Sequence, residues 1–234
     1  MDKKYIQIFG IQRSGTTYTT NLIHMNGENV IVSTDNKHGN SKDVDFIEDQ
    51  LRKRLENNEV YKTNKIFRER LLCKIRDLFE LDKKMHPLII IKNPYSWYQS
   101  ISRWRLLHKN SFHMEVWYER YNKVYKSWKE LLENPRKPYG KGMIVGYENL
   151  LRSPSDFIYT LRNNFGVKLK DEIKITDRIA SINSKFESEP KIFTEERRQF
   201  YLQDGDFGLS KKLIKQITKL IDWELMEFYG YKSK

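Results

Sequence analysis

Apolar residues in this chain occur in two patterns that alternate along its length. Short unbroken runs predict strands, and longer stretches with apolar positions every three to four residues predict amphipathic helices. Tyr5-Ile6-Gln7-Ile8-Phe9 is the first run, ended by Gly10, and a helix is predicted over about 16–26 with Gly27 as its cap. Val30-Ile31-Val32-Ser33 predicts a second strand, followed by a polar loop over 34–42 and helices over about 44–55 and 67–81. Pro87-Leu88-Ile89-Ile90-Ile91-Lys92 has the unbroken apolar character of a strand buried on both faces. Asn93-Pro94 then opens a helix, with proline near its first position. That helix presents Trp97, Ile101, Trp104 and Leu107 on one side. A long helix over about 114–132 carries Trp117, Tyr121, Val124, Tyr125, Trp128 and Leu132, an aromatic stripe read as core packing.

A further strand is predicted over 142–147, then a helix from Ser153 to about residue 165 capped by Gly166. Residues 181–192 read as an irregular loop, and a closing helix runs over about 210–228 with Gly230 after it. Strands alternating with helices mean βαβ units: an α/β fold with a central, mostly parallel sheet flanked by helices. No repeat, low-complexity segment or Gly/Ser/Pro-rich linker interrupts the chain, so a single domain over 1–234 is expected.

In such sheets ligands bind beyond the C-terminal ends of the strands. Two strand ends carry chemistry. After the first comes Gly10-Ile11-Gln12-Arg13-Ser14-Gly15-Thr16-Thr17, which has the spacing of the phosphate loop GxxxxGK[ST]. Both glycines and the hydroxyl of Thr17 are in place, but Thr16 stands where the lysine belongs, and a cation stands earlier, at Arg13. A strand, a glycine-bounded loop and a helix start aim backbone N–H groups at one point, where an anion can sit. After the buried strand comes Lys92, with Ser100 about two helical turns further on, a cation and a hydroxyl suited to a second phosphate.

Composition narrows the partners only in part. Lys and Arg number 43 against 31 Asp and Glu, a formal charge of +12, which suits nucleic acid, an acidic membrane face or a multiply phosphorylated small molecule. With 38% hydrophobic and 13% aromatic residues the chain has the material for a core. Cys73 is the one cysteine, which excludes an intrachain disulfide and a multi-cysteine zinc site. The first strand begins near Tyr5, and no apolar run is long enough for a bilayer span, so a cytoplasmic protein without a membrane span is expected.

Taken together, Arg13-Ser14-Gly15-Thr16-Thr17, the triplet Lys92-Asn93-Pro94 with Ser100, the segment Tyr147-Glu148-Asn149-Leu150-Leu151 and the aromatic end Phe228-Tyr229-Gly230-Tyr231 resemble the sulfotransferases that use 3′-phosphoadenosine 5′-phosphosulfate (PAPS). The resemblance implies a P-loop-like three-layer fold, PAPS as co-substrate, 3′-phosphoadenosine 5′-phosphate as product, and no metal. It implies that Ser14, Gly15, Thr16 and Thr17 hold the 5′-phosphosulfate, with Arg13 facing the charge that grows on the bridging oxygen. It implies Lys92 and Ser100 at the 3′-phosphate and Tyr147 near the adenosine. Members commonly have arginine where Lys92 stands; lysine binds as a point charge without the bidentate fork. The general base implied is His38, in the Lys37-His38-Gly39 run after the second strand, with Asp45 or Glu48 as substitutes. Arg197 or Arg198 is a candidate to approach the 3′-phosphate.

The acceptor, a glycan, lipid, peptide or small alcohol, would meet loops at 34–45, 56–66 and 105–115, whose sequence encodes no readable ligand. Two other classes stand beside this one. A P-loop kinase or NTPase requires a lysine where Thr16 stands and an acid ending a buried strand. A basic nucleic-acid-binding protein requires a recognition motif, and none is present, so no nucleic-acid partner is expected.

Overall fold

The computed structural model describes residues 4–34, 85–107, 113–135, 140–175, 194–202 and 207–233. The expected helices at 44–55 and 67–81, the loop at 181–192, Cys73, His38, Asp45 and Glu48 lie outside the described residues.

Four strands form one parallel sheet: β1 (Lys4–Phe9), β2 (Val30–Thr34), β3 (Met85–Ile91) and β4 (Met143–Gly146), in the order β2-β1-β3-β4. Ile6 lies opposite Val32 on one side and His86 on the other, and Leu88 lies opposite Met143. The chain leaves β1 toward β2 and later returns on its other side as β3. Between β1 and β3 is therefore the point where the winding changes direction, the usual place for a ligand crevice.

Side-chain alternation along the strands builds a core on each face. Tyr5 and Phe9 of β1 join Ile89 and Ile91 of β3 in one cluster; Ile6 and Ile8 join Leu88 and Ile90 in the other. The first cluster is covered by α2 (Pro94–Leu107), α3 (Met114–Glu133), α7 (Lys211–Leu220) and α8 (Trp223–Phe228). Its centre is the aromatic stripe of α3, where Tyr121 meets Trp97 at 4.9 Å and Tyr125 at 4.4 Å between ring centroids. The second is covered by α1 (Thr16–Asn26), α4 (Tyr147–Arg152) and α5 (Pro154–Phe165), through Leu22, Ile23, Leu150, Leu151, Ile158 and Leu161. Helix α6 (Glu195–Leu202) adds Tyr201 to that cluster.

Several boundaries differ from those read off the sequence, each for a local reason. Strand β3 starts at Met85, ahead of Pro87; β4 pairs only from Leu88 onward, so β3 is still an edge on that side at the residue that lacks an N–H. Strand β4 stops at Gly146, and Tyr147, expected in the strand, is the first residue of α4. The closing helix is two helices. Asn122 of α3 donates to the Leu220 carbonyl (2.8 Å) and accepts from the Asp222 N–H (3.2 Å), while the Asp222 carboxylate caps α8 through the Leu225 N–H (3.0 Å). By contrast, α5 ends as expected, with Gly166 at φ 66°.

Candidate functional site

The loop after β1 is shaped by two residues in the left-handed region, Arg13 at φ 71° and Gly15 at φ 96°. The Ser14 N–H closes a turn onto the Ile11 carbonyl at 3.0 Å, and Trp97 Nε1 donates to the Gln12 carbonyl at 2.8 Å, tying the loop to α2. A side chain at either glycine would force its neighbours to move. A Cβ at Gly10 would collide with the Thr16 and Ser14 side chains, and one at Gly15 would enter the Tyr147 ring. Helix α1 starts directly after Gly15 with no side-chain cap and no acid in its first turn, so its leading amides and its positive dipole end face the loop. The Ser14 side chain is fully buried, and its Oγ has no hydrogen-bond partner among the described residues. A buried hydroxyl left unmatched in the loop ahead of α1 fits a ligand oxygen at that point. Thr16 is buried, Thr17 half-buried and Arg13 exposed.

Beside this loop stands Lys92, the residue after β3. Its side chain is only 1% exposed, a rare condition for lysine. The ammonium donates to Ser100 Oγ at 2.8 Å and to the Arg13 carbonyl at 3.3 Å. Two tyrosine rings close the remaining directions, Tyr201 at 4.1 Å and Tyr147 at 4.7 Å from ring centre to Nζ. Tyr201 also bonds Ser100 through its hydroxyl, at 2.9 Å, and the two rings meet edge to face at 5.4 Å. Burial pulls the Lys92 pKa down to about 8, against partial support from Tyr201 and Glu148.

The framework around Lys92 is hydrogen-bonded from several elements. Tyr121 and Tyr118 of α3 donate to the carbonyls of Lys92 (2.8 Å) and Pro94 (3.0 Å). Asn93 Oδ1 accepts from the Tyr95 N–H at 2.9 Å and starts α2. Glu148 accepts from the Asn93 N–H (3.2 Å) and the Ser96 hydroxyl (3.0 Å) with one oxygen, and from the Tyr231 hydroxyl (2.7 Å) with the other. The aromatic stripe of α3 therefore packs the core and also pins the turn that presents Lys92.

Arg13, Ser14, Gly15, Thr16, Thr17, Lys92, Ser100 and Tyr147 thus gather at the C-terminal ends of β1 and β3. Arg198 does not join them. It donates to the Leu151 carbonyl at 2.9 Å and pairs with Glu195 at 3.4 Å, while its neighbour one turn on, Tyr201, enters the pocket instead. Tyr201 and Glu148 were not singled out in the sequence. Glu148 lies inside a recognised segment, but nothing there marks its role as the anchor of Asn93, Ser96 and Tyr231. Tyr201 meets Ser100 from 101 residues away, a pairing no local pattern carries. Neither a protein-family model nor a curated protein matches the chain.

Proposed function

We propose that this chain is a PAPS-dependent sulfotransferase with a P-loop-like three-layer fold, transferring a sulfuryl group to a hydroxyl or amine of an acceptor. One observation carries the reading: the Lys92 ammonium touches the carbonyl of Arg13, so two candidate anion subsites share a wall across neighbouring strand ends. A ligand with phosphate-like groups at both ends of one nucleoside matches that arrangement. The 10–17 loop would hold the 5′ end through the leading amides of α1 and the Ser14 hydroxyl. Lys92 and Ser100 would hold the 3′ end.

Sulfuryl transfer asks little covalent work of the protein. The acceptor attacks sulfur as the bond to the bridging phosphate oxygen breaks, and catalysis rests on alignment and on cations facing the growing charge. Arg13, exposed at the rim of the loop, is the residue for that charge. His38 is the proposed base for the acceptor proton, on the strength of the sequence resemblance alone.

A nucleotide kinase or NTPase suits the site less well. Thr16 replaces the loop lysine, and the strand beside β1 ends in a lysine where a magnesium-binding carboxylate would be needed. Thermal shift measured with adenosine 3′,5′-bisphosphate, with ATP and magnesium, and with an oligonucleotide separates the classes. The bisphosphate alone is expected to stabilise most, without magnesium. Stabilisation by ATP and magnesium only would overturn the assignment, and stabilisation by the oligonucleotide only would point to a nucleic-acid-binding protein.

A further inference from the structure

Among the described residues four groups close on the Lys92 ammonium: Ser100 and the Arg13 carbonyl take hydrogen bonds, and the rings of Tyr201 and Tyr147 lie over it. Lys92 is 1% exposed, so an anion reaches this cation only if one of the covering groups withdraws. Two belong to the frame of the site, the Arg13 backbone and Ser100 on α2. Tyr147 is wedged against Gly15, where no room exists even for a methyl group. Tyr201 is the member whose contacts an anion can replace in kind. Its ring gives Lys92 a π face where an anion would give a full charge, and its hydroxyl pairs with Ser100 where an anion oxygen would accept.

We propose that Tyr201 determines the specificity of the Lys92 subsite, as a displaceable plug that excludes small free anions and yields only to a ligand also anchored at the 10–17 loop. The inference rests on reading Lys92 as an anion subsite and adds the kind of anion it admits. Inorganic phosphate or sulfate, bound only here, must displace a ring that is 6% exposed and packed against Tyr147 and Phe200, with nothing else to offset that cost. A bisphosphorylated nucleoside brings a second set of contacts. Its apparent affinity is still lowered by the fraction of molecules in which the plug is closed.

The test compares wild type, Tyr201→Ala and Tyr201→Ala/Lys92→Met by calorimetry, with inorganic phosphate and adenosine 3′,5′-bisphosphate as probes. Tyr201→Ala is expected to bind phosphate at least about tenfold more tightly than wild type, to lose that gain when Lys92 is also replaced, and to bind the bisphosphate more tightly by a similar factor. No gain in phosphate affinity overturns the proposal. So does weaker bisphosphate binding in Tyr201→Ala, which would make Tyr201 a ligand contact and leave the nucleotide reading standing. A Lys92-dependent phosphate gain without bisphosphate binding keeps the plug and removes the nucleotide reading. Should Tyr201→Ala fail to fold, 3-fluorotyrosine at position 201 decides. Its fluorine resonance is expected to move on saturation with bisphosphate and to stay in place with phosphate; an unmoved resonance at saturating bisphosphate, or a shift with phosphate alone, overturns the proposal.

Discussion

In the 10–17 loop the groups proposed to face an anion are mainly backbone amides, held by a left-handed turn that only particular residues permit. In the adjoining pocket they are the side chains of Lys92 and Ser100, carried on a buried strand end and a helix. The first subsite depends on shape, because amides carry no net charge to desolvate and cannot titrate. The second depends on a cation taken out of water, with neutral oxygens and aromatic faces as its close partners. Substitutions at the loop glycines should therefore damage folding and binding together, whereas substitutions in the pocket should separate them.

The loop gives the largest expected effect. Gly15→Ala must hold a Cβ at φ 96° and displace the Tyr147 ring that covers Lys92. The left-handed backbone costs about 1–2 kcal/mol and the forced repacking about 1–3 kcal/mol more. Urea unfolding and bisphosphate calorimetry should both show the loss. A variant with wild-type stability would mean that Tyr147 is not seated on the loop.

Lys92→Met is the counterpart in the pocket, and stability and binding should move in opposite directions. A pKa of about 8 against 10.5 in the unfolded chain means that the charged lysine destabilises the fold near neutral pH, by about 3 kcal/mol at most. Methionine removes that cost, so unfolding at pH 7 should require equal or more urea, while bisphosphate affinity falls about tenfold to a hundredfold with the loss of a charge-assisted contact.

The same lysine fixes a pH signature. Between pH 8 and 10.5 the unfolded chain holds the proton that folded Lys92 releases, so the Lys92 contribution to stability rises with pH, by about 2 kcal/mol from pH 8 to 10. Burial raises the pKa values of Tyr118, Tyr121, Tyr125, Tyr229 and Tyr231 above the usual tyrosine value, so their contribution is complete below pH 10 and declines above it. Wild type is expected to gain stability from pH 8 to about 9 and then to level off as the tyrosines of the unfolded chain ionise, and Lys92→Met to lack the rise. A stability difference between wild type and Lys92→Met that stays constant from pH 8 to 10 would show that Lys92 is solvated.

The two subsites also differ in how much of them the sequence carries. The loop is local: Gly10, Gly15 and the hydroxyl positions lie within one stretch, and its fixed spacing is what the backbone turn demands. Lys92 and Ser100 were readable for the same reason, since a helix that starts at Pro94 brings Ser100 back over the strand end. The rest of the pocket is assembled from distant segments. Tyr201 arrives on α6, Tyr231 reaches Glu148 from the chain end, and Tyr118 and Tyr121 look like any core-facing stripe until their hydroxyls are seen on the 92–94 turn. The break between α7 and α8 had a sequence sign in Asp222, an N-cap residue. The apolar spacing continues through it, however, and only Asn122 across the core settles where the helix stops.

The smallest expected stability effect is at Arg13, and it bears on whether the loop works by shape alone. Its side chain is exposed, and its hydrogen bond to Lys92 is made by its backbone carbonyl, which any residue supplies. Arg13→Ala should therefore change the unfolding free energy by no more than about 0.5 kcal/mol and leave the Lys92 pH signature slightly weaker, because the Arg13 charge helps to hold the Lys92 pKa down and burial does most of it. Bisphosphate affinity should fall only modestly, because the amides and Ser14 remain. If the guanidinium faces charge that develops as the sulfuryl group leaves, single-turnover transfer from PAPS should fall far more than binding does, by about a hundredfold or more. Equal losses in binding and transfer would make Arg13 an ordinary phosphate contact, and no loss in either would leave the loop acting through its backbone alone.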